Sequence, residues 1–217
     1  MASIEALSWG PFSGGAPRSA LFLLHGLGAD ARDLIDLAQY FAPSLPGTLF
    51  IAPHAPHPFD MAPFGRQWFS LQSLDPFRLE QGARDAAQTL EPYIEAELTR
   101  HHLTHYALLG FSQGAMVALH LGPRARRAPR AVLAFSGALL GGGTLATEAR
   151  NHPAILLAHG TGDDIVPVGA SQAAELSLRA LGFPVRSVYE RGLGHALSEQ
   201  GLEIGAPLLA TLLEDAA

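Results

Sequence analysis

Five short stretches of the chain are apolar at nearly every position: Ala20 to Leu24, Thr48 to Ala52, Tyr106 to Leu109, Ala131 to Phe135 and Ile155 to Ala158. A strand with one face in water would alternate, so these runs predict strands covered on both faces of a parallel sheet. Val185 to Tyr189 is a shorter, more polar version and fits a position nearer a sheet edge. Between the runs the period changes. Leu34, Leu37, Ala38 and Phe41 fall at helical spacing after Asp30. Leu79, Ala83, Ala86, Leu90, Ile94 and Leu98 form one stripe, in a helix that Pro92 is expected to kink. Ala115 to Leu121, Ala170 to Leu181 and Ser198 to Leu213 complete the helical set. Strands alternating with helices predict an α/β fold, a mainly parallel sheet with helices on both faces. In such sheets the functional groups gather at the carboxyl ends of the strands.

Chemistry is found there. Gly110-Phe111-Ser112-Gln113-Gly114 matches G-x-S-x-G, which a random chain of this composition shows roughly one time in seven. Context raises its weight: a buried apolar run leads into it and a helical pattern leaves it. That is the nucleophile elbow, a sharp strand-to-helix turn that presents a serine hydroxyl. A serine attacks only when an imidazole takes its proton, and in this arrangement the acid and then the histidine follow the serine along the chain. His120 falls on the helix leaving the elbow, His152 precedes Pro153, and His159 ends a strand as His25 does, all positions that suit structural roles. His195 instead sits in Gly192-Leu193-Gly194-His195, a flexible loop between the last strand and the last helix. It is the expected base. Gly160-Thr161-Gly162-Asp163-Asp164 ends another strand, and spacing leaves either aspartate able to orient the imidazole.

Length and charge narrow the setting. The 217 residues suit one domain over 1–217, with no repeat or linker-like shift in composition. The net charge is −6, and the one basic run, Arg124, Arg126, Arg127 and Arg130, is too small for a nucleic-acid footprint. The absence of cysteine excludes thiol catalysis and thiolate metal sites. Met1 to Phe12 lacks the pattern of a secretory signal, and no apolar run approaches the roughly 18 residues of a membrane helix. A cytoplasmic protein without stable membrane insertion is expected. His54 and His57 flank Ala-Pro in an extended loop, which is poor ligand geometry, so neither metal nor cofactor is expected.

The chain resembles the carboxylesterase, phospholipase and acyl-protein thioesterase family of small α/β-hydrolases. The matching stretches are Leu24-His25-Gly26-Leu27-Gly28, Gln67-Trp68-Phe69-Ser70-Leu71, the elbow, His159-Gly160-Thr161-Gly162-Asp163 with Val166-Pro167, and the His195 loop. They run from near the N-terminus to the last helix. The resemblance implies a minimal α/β-hydrolase fold without a separate lid domain, and makes Asp163, four positions after His159, the orienting acid. It also places one oxyanion donor at the Leu27 amide, beside the Gln113 amide that follows the nucleophile. Aspartate usually follows the Trp-Phe pair in this family, and Ser70 stands there instead.

The proline-rich stretch from Pro53 to Asp75 holds many of the aromatic residues and is expected to form one wall of an acyl groove, lined by Trp68, Phe69, Leu71 and Phe64. Leu139 and Val166 are expected on the other wall. Gly141-Gly142-Gly143 is expected to leave its segment flexible. The expected activity is that of a serine carboxylesterase on small esters of short to medium acyl chains. An acyl-protein thioesterase, a lysophospholipase and a slow-turnover small-molecule binder are the alternatives, and a homodimer is left open.

Overall fold

The strands assemble into one seven-stranded sheet. In chain order they are β1 (Ala6–Trp9), β2 (Ser19–Leu24), β3 (Thr48–Pro53), β6 (His105–Phe111), β7 (Ala131–Phe135), β8 (Ala154–Gly160) and β9 (Val185–Glu190). Two-residue strands β4 (His57–Pro58) and β5 (Arg66–Gln67) form a separate hairpin between β3 and β6. The computed structural model describes residues 4–214; residues 1–3 and 215–217, the ends of the expected domain, lie outside the described residues. The sheet order is β1-β3-β2-β6-β7-β8-β9, and every neighbouring pair is parallel except β1 with β3.

The apolar runs are explained by which face each residue takes. Ala20, Phe22 and Leu24 of β2 pack into one core, and Leu21 and Leu23 into the other. In β6, Tyr106 and Leu108 face the first core while Ala107 and Leu109 face the second. Both faces are dry because helices cover both. The first is covered by α3 (Pro76–Arg100), α4 (Gln113–Arg124), α5 (Gly142–Glu148) and α6 (Gly169–Ala180). The second is covered by the short α1 (Arg32–Ile35) and α2 (Leu37–Phe41) together with α7 (Glu199–Leu213). β9 is the sheet's edge on one side, as its polar pattern suggests.

Local chemistry sets the helix ends. Asp75 caps α3 by accepting the Arg78 N–H, Pro76 stands in the first turn, and the helix continues through Pro92 for 25 residues. Ser198 caps α7 by accepting the Gly201 N–H. Two expectations need correction here. The helix expected over Leu34 to Phe41 is divided at Asp36 into α1 and α2. The glycine run at 141–143 is not an open flexible segment: Gly141, at φ 75°, turns the chain and α5 begins at Gly142.

Charge anchors α5 in place. The Glu148 carboxylate accepts from Arg124 of α4 at 2.7 Å, from Arg84 of α3 at 2.9 Å and from the Thr144 hydroxyl at 2.9 Å. Burial pushes this carboxyl up, but the bonds from Arg124, Thr144 and Arg84 outweigh it and bring the pKa to about 2. The folded state therefore binds this proton less readily than the unfolded chain, where the value is 4.5. The clamp contributes its full stability above that value and loses it as pH falls toward about 2. Glu148→Gln is expected to lower the melting temperature by a few degrees at about pH 7, with the gap to wild type narrowing by about pH 3. Parallel thermal melts check this; a gap independent of pH would show that the clamp does not act through its charge.

Candidate active site

β6 delivers Ser112 to the end of the sheet. Ser112 has φ 53° and ψ −116°, a conformation that non-glycine residues rarely adopt, and α4 starts at the next residue. The flanking glycines are required by contact. A Cβ on Gly110 would lie 2.4 Å from the Gly114 carbonyl carbon, and one on Gly114 would lie 2.0 Å from the Leu24 carbonyl oxygen. The turn is held from the side as well, since the Ser112 N–H donates to Phe135 O at 2.9 Å. That bond has counterparts one strand over: Ser136 N–H donates to Ala158 O and Thr161 N–H to Glu190 O, each at 2.9 Å. The exits of β6, β7 and β8 are thus each fastened to the end of the next strand.

His195 and Asp163 come to the same place from the ends of β9 and β8. His195 Nε2 lies 3.0 Å from Ser112 Oγ, and His195 Nδ1 lies 2.7 Å from Asp163 Oδ2. Phe111 packs its ring 5.0 Å from the imidazole. The Asp163 carboxylate has no exposed surface, and its Oδ1 accepts the N–H groups of Ile165 at 2.9 Å and Val166 at 2.8 Å. Burial alone would raise the Asp163 carboxyl, but the His195 bond and the Val166 and Ile165 amides pull it below the usual carboxylate range. It is held as an anion facing Nδ1. Asp164, the other aspartate that spacing allowed, is exposed.

The amides of Leu27 and Gln113 donate no hydrogen bond within the protein among the described residues. A helix's first N–H groups have no partner within it, so a free Gln113 amide follows from its place at the start of α4. The loop that carries Leu27 is fastened by His25. Its Nδ1–H donates to Gly26 O at 2.7 Å, and its Nε2 accepts the Ala55 N–H at 3.0 Å. Burial lowers the His25 pKa, which favours the neutral ring that this bonding pattern requires.

The residues expected in the acyl wall differ widely in exposure. Trp68 is 1% exposed and Phe69 is 5% exposed, so both are packed almost wholly inward, although each reaches the wall of a cleft beside the hairpin. Polar bonds draw both inward: Trp68 Nε1–H donates to His25 O at 2.9 Å, and the Gln113 side chain grips the backbone between them. Gln113 Oε1 accepts the Trp68 N–H at 2.8 Å while its Nε2–H donates to Phe69 O at 2.7 Å. Phe69 also packs on the bare backbone of Gly82 in α3. Phe64 is 75% exposed, out on the β4–β5 hairpin. Leu71, Leu139 and Val166 are half-buried.

A cleft of about 1130 Å³ opens between that hairpin and the start of α3, and none of Ser112, Asp163 and His195 lines it. Ser70, where the family usually has aspartate, sits at this cleft with its hydroxyl on Asp60 Oδ2 at 2.5 Å, so a carboxylate reaches the same place from the hairpin. His120 is neutral, its pKa brought down to about 4 by burial and then Arg124, and it lies 3.1 Å from Leu140 O. That contact tethers the segment bearing Leu139. Among the described residues no cluster of three or more His, Asp or Glu is gathered as a metal would need, and no helix is long and apolar enough to cross a membrane.

Sequence reasoning missed the grip of the Gln113 side chain and the contact that His159 makes with Asp163. Both residues stand in motifs, but their partners lie far off in the chain or across a turn whose shape spacing does not give.

Known proteins agree with this architecture. The chain is 36% identical to esterase PE8, with a TM-score of 0.92 over 98% of this chain and all of that one. It is 28% identical to esterase YpfH of Escherichia coli over 84% of this chain and 78% of that protein. Acyl-protein thioesterase 1 of Mycosarcoma maydis is 31% identical over 56% of this chain and 58% of its own length. Residues 13–213 match the phospholipase/carboxylesterase family, and the chain is a member of that family of α/β-hydrolases.

Proposed function

We propose that the protein is a serine carboxylesterase acting on small carboxylic esters of short to medium acyl chains. The observation that carries this reading is the unbroken hydrogen-bonded path from Ser112 Oγ through His195 to Asp163. Ser112 Oγ attacks the ester carbonyl while His195 Nε2 takes its proton, and the Asp163 anion stabilises the imidazolium that forms. The Leu27 and Gln113 amides receive the negative oxygen. His195 returns its proton to the departing alcohol, and a water molecule repeats the sequence on the acyl-enzyme. Leu71, Leu139 and Val166 line the acyl group. Attack on the carbonyl requires the unprotonated imidazole of His195.

Only the backbone of Leu27 is needed. Leu27→Ala is expected to retain most activity, whereas Leu27→Pro, which removes the N–H, should lose about a hundred- to a thousandfold in kcat. A severe kinetic defect in a folded alanine variant would remove Leu27 from the oxyanion site.

The named thioesterase relative favours a second reading, hydrolysis of an S-acyl bond by the same machinery. Hydrolysis of p-nitrophenyl esters from acetate to palmitate, beside an S-palmitoylated peptide and a lysophospholipid, separates the two. The carboxylesterase reading expects the shorter p-nitrophenyl esters to have the highest kcat/KM. A strong preference for the S-acyl peptide, or for the lysolipid, would replace it.

A further inference from the structure

His159 ends β8 with a side chain that has no exposed surface, and its two ring nitrogens do different work. Nε2 lies 2.8 Å from Val166 O and 3.1 Å from Asp163 Oδ2. A carbonyl oxygen can only accept, so Nε2 carries the hydrogen. Nδ1 lies 2.6 Å from Ser171 Oγ of α6, and Ser171 Oγ is also 3.1 Å from Gly137 O, just past β7. The Val166 carbonyl satisfies the Nε2–H, and the same placement brings the ring edge against the Asp163 carboxylate.

The acceptor positions of Asp163 account for the rest. Oδ1 takes two backbone N–H groups, from Ile165 and Val166. Oδ2 takes Nδ1–H of His195, and His159 Nε2, whose N–H donates to Val166 O, stands 3.1 Å from the same oxygen. A carboxylate offers about four such positions; on the unexposed Asp163 carboxylate these N–H groups take three, and the His159 ring edge stands against Oδ2. Rotation of the carboxylate would break at least one of these bonds.

We propose that His159 is a positioning residue for the triad, its Nε2 edge held against Asp163 Oδ2 and thereby fixing the acceptor that orients the base. This rests on the triad reading above. The chain of contacts runs from Gly137 O through Ser171, His159 and Asp163 to His195, so α6 and the end of β7 are connected to the imidazole without touching it. Among the ionisable groups of the described residues, only Asp163 comes within hydrogen-bond distance of His159; Glu175, one turn beyond Ser171 in α6, is taken by Arg179, Ser187 and Tyr189.

The test compares His159→Leu with His159→Gln, whose amide N–H reaches the place of Nε2–H. Two readouts are taken: kcat and KM on p-nitrophenyl acetate, and the downfield proton NMR resonance of His195 Nδ1–H, which needs no ester. The leucine variant is expected to lose about tenfold or more in kcat, the scale seen when the hydrogen-bond partner of a functional ligand is removed, with KM little changed. Its His195 resonance moves. The glutamine variant recovers most of the loss and returns the resonance toward its wild-type position.

Wild-type kcat and an unmoved resonance in both variants would overturn the proposal, as would equal losses in both with the resonance unmoved. If the leucine variant does not fold, Ser171→Ala takes its place. It keeps the imidazole but frees Nδ1, and a displaced resonance is expected; a wild-type resonance and kcat overturn the proposal. Failure of the esterase reading would look different, because Ser112→Ala would then hydrolyse the ester as fast as wild type while the NMR comparison would still stand.

Discussion

Ser112→Ala is expected to lower kcat on p-nitrophenyl acetate by about a thousandfold or more while the protein remains folded. Removing the nucleophile of a serine hydrolase leaves only the contribution of the oxyanion donors and of substrate binding, so the loss is large but the residual rate stays above that of water. Stability should hardly move. Alanine keeps the Cβ at φ 53°, so the backbone strain of the elbow is unchanged, and only the bond at 3.0 Å to His195 is lost. The variant should also acylate no further than background in a pre-steady-state burst. Retention of more than about a tenth of wild-type kcat would assign the nucleophile elsewhere, and an unfolded variant would be exposed at once by circular dichroism.

The second large effect is on folding. Gly114→Ala is expected to destabilise the protein by about 4 kcal/mol or more, among the largest single-residue losses seen in proteins. The added Cβ would meet three backbone atoms at once, Leu24 O at 2.0 Å, Leu24 C at 2.5 Å and His25 O at 2.6 Å, none of which can swing aside. Relief requires α4 to lift off the end of β2. That carries Ser112 and the Gln113 amide away from the Leu27 loop, so activity falls with stability. For a chain of this size the melting temperature should drop by about 10 °C or more. Gly143→Ala in α5 is the control: nothing lies within 4 Å of its added Cβ, and alanine there should be neutral or mildly stabilising. Equal melting temperatures for the two variants would show that the elbow tolerates a separation the close contacts forbid.

Much of this arrangement could be read from residue patterns, and the failures have physical causes. Five of the six parallel strands were legible because burial on both faces leaves an uninterrupted apolar run, as at Leu21 to Leu24, and β9 showed as the more polar run of an edge strand. β1 was not, because an antiparallel edge strand of four residues, with Leu7 and Ser8 exposed, carries too little of that signal. α5 was missed because glycines 141–143 read as a breaker, whereas only Gly141 uses a positive φ. The positions of Ser112, Asp163 and His195 at strand ends followed from motif and order. The deep packing of Trp68 and Phe69 was hidden for the opposite reason. Aromatic residues in a long loop suggest a surface, but the groups that bury them, His25 O and the Gln113 side-chain amide, come from 43 to 45 residues away.

The bonds that fasten each strand exit to the next strand divide the molecule into two parts with different freedoms. The spacing between nucleophile, acid and base is a property of ladder register, counted in whole residues across β6 to β9, so it cannot drift by small steps. The hairpin after β3 and the segment after β7 lie outside that count. They carry none of Ser112, Asp163 and His195, which makes them the places where new substrate preferences can be grafted onto an inherited reaction.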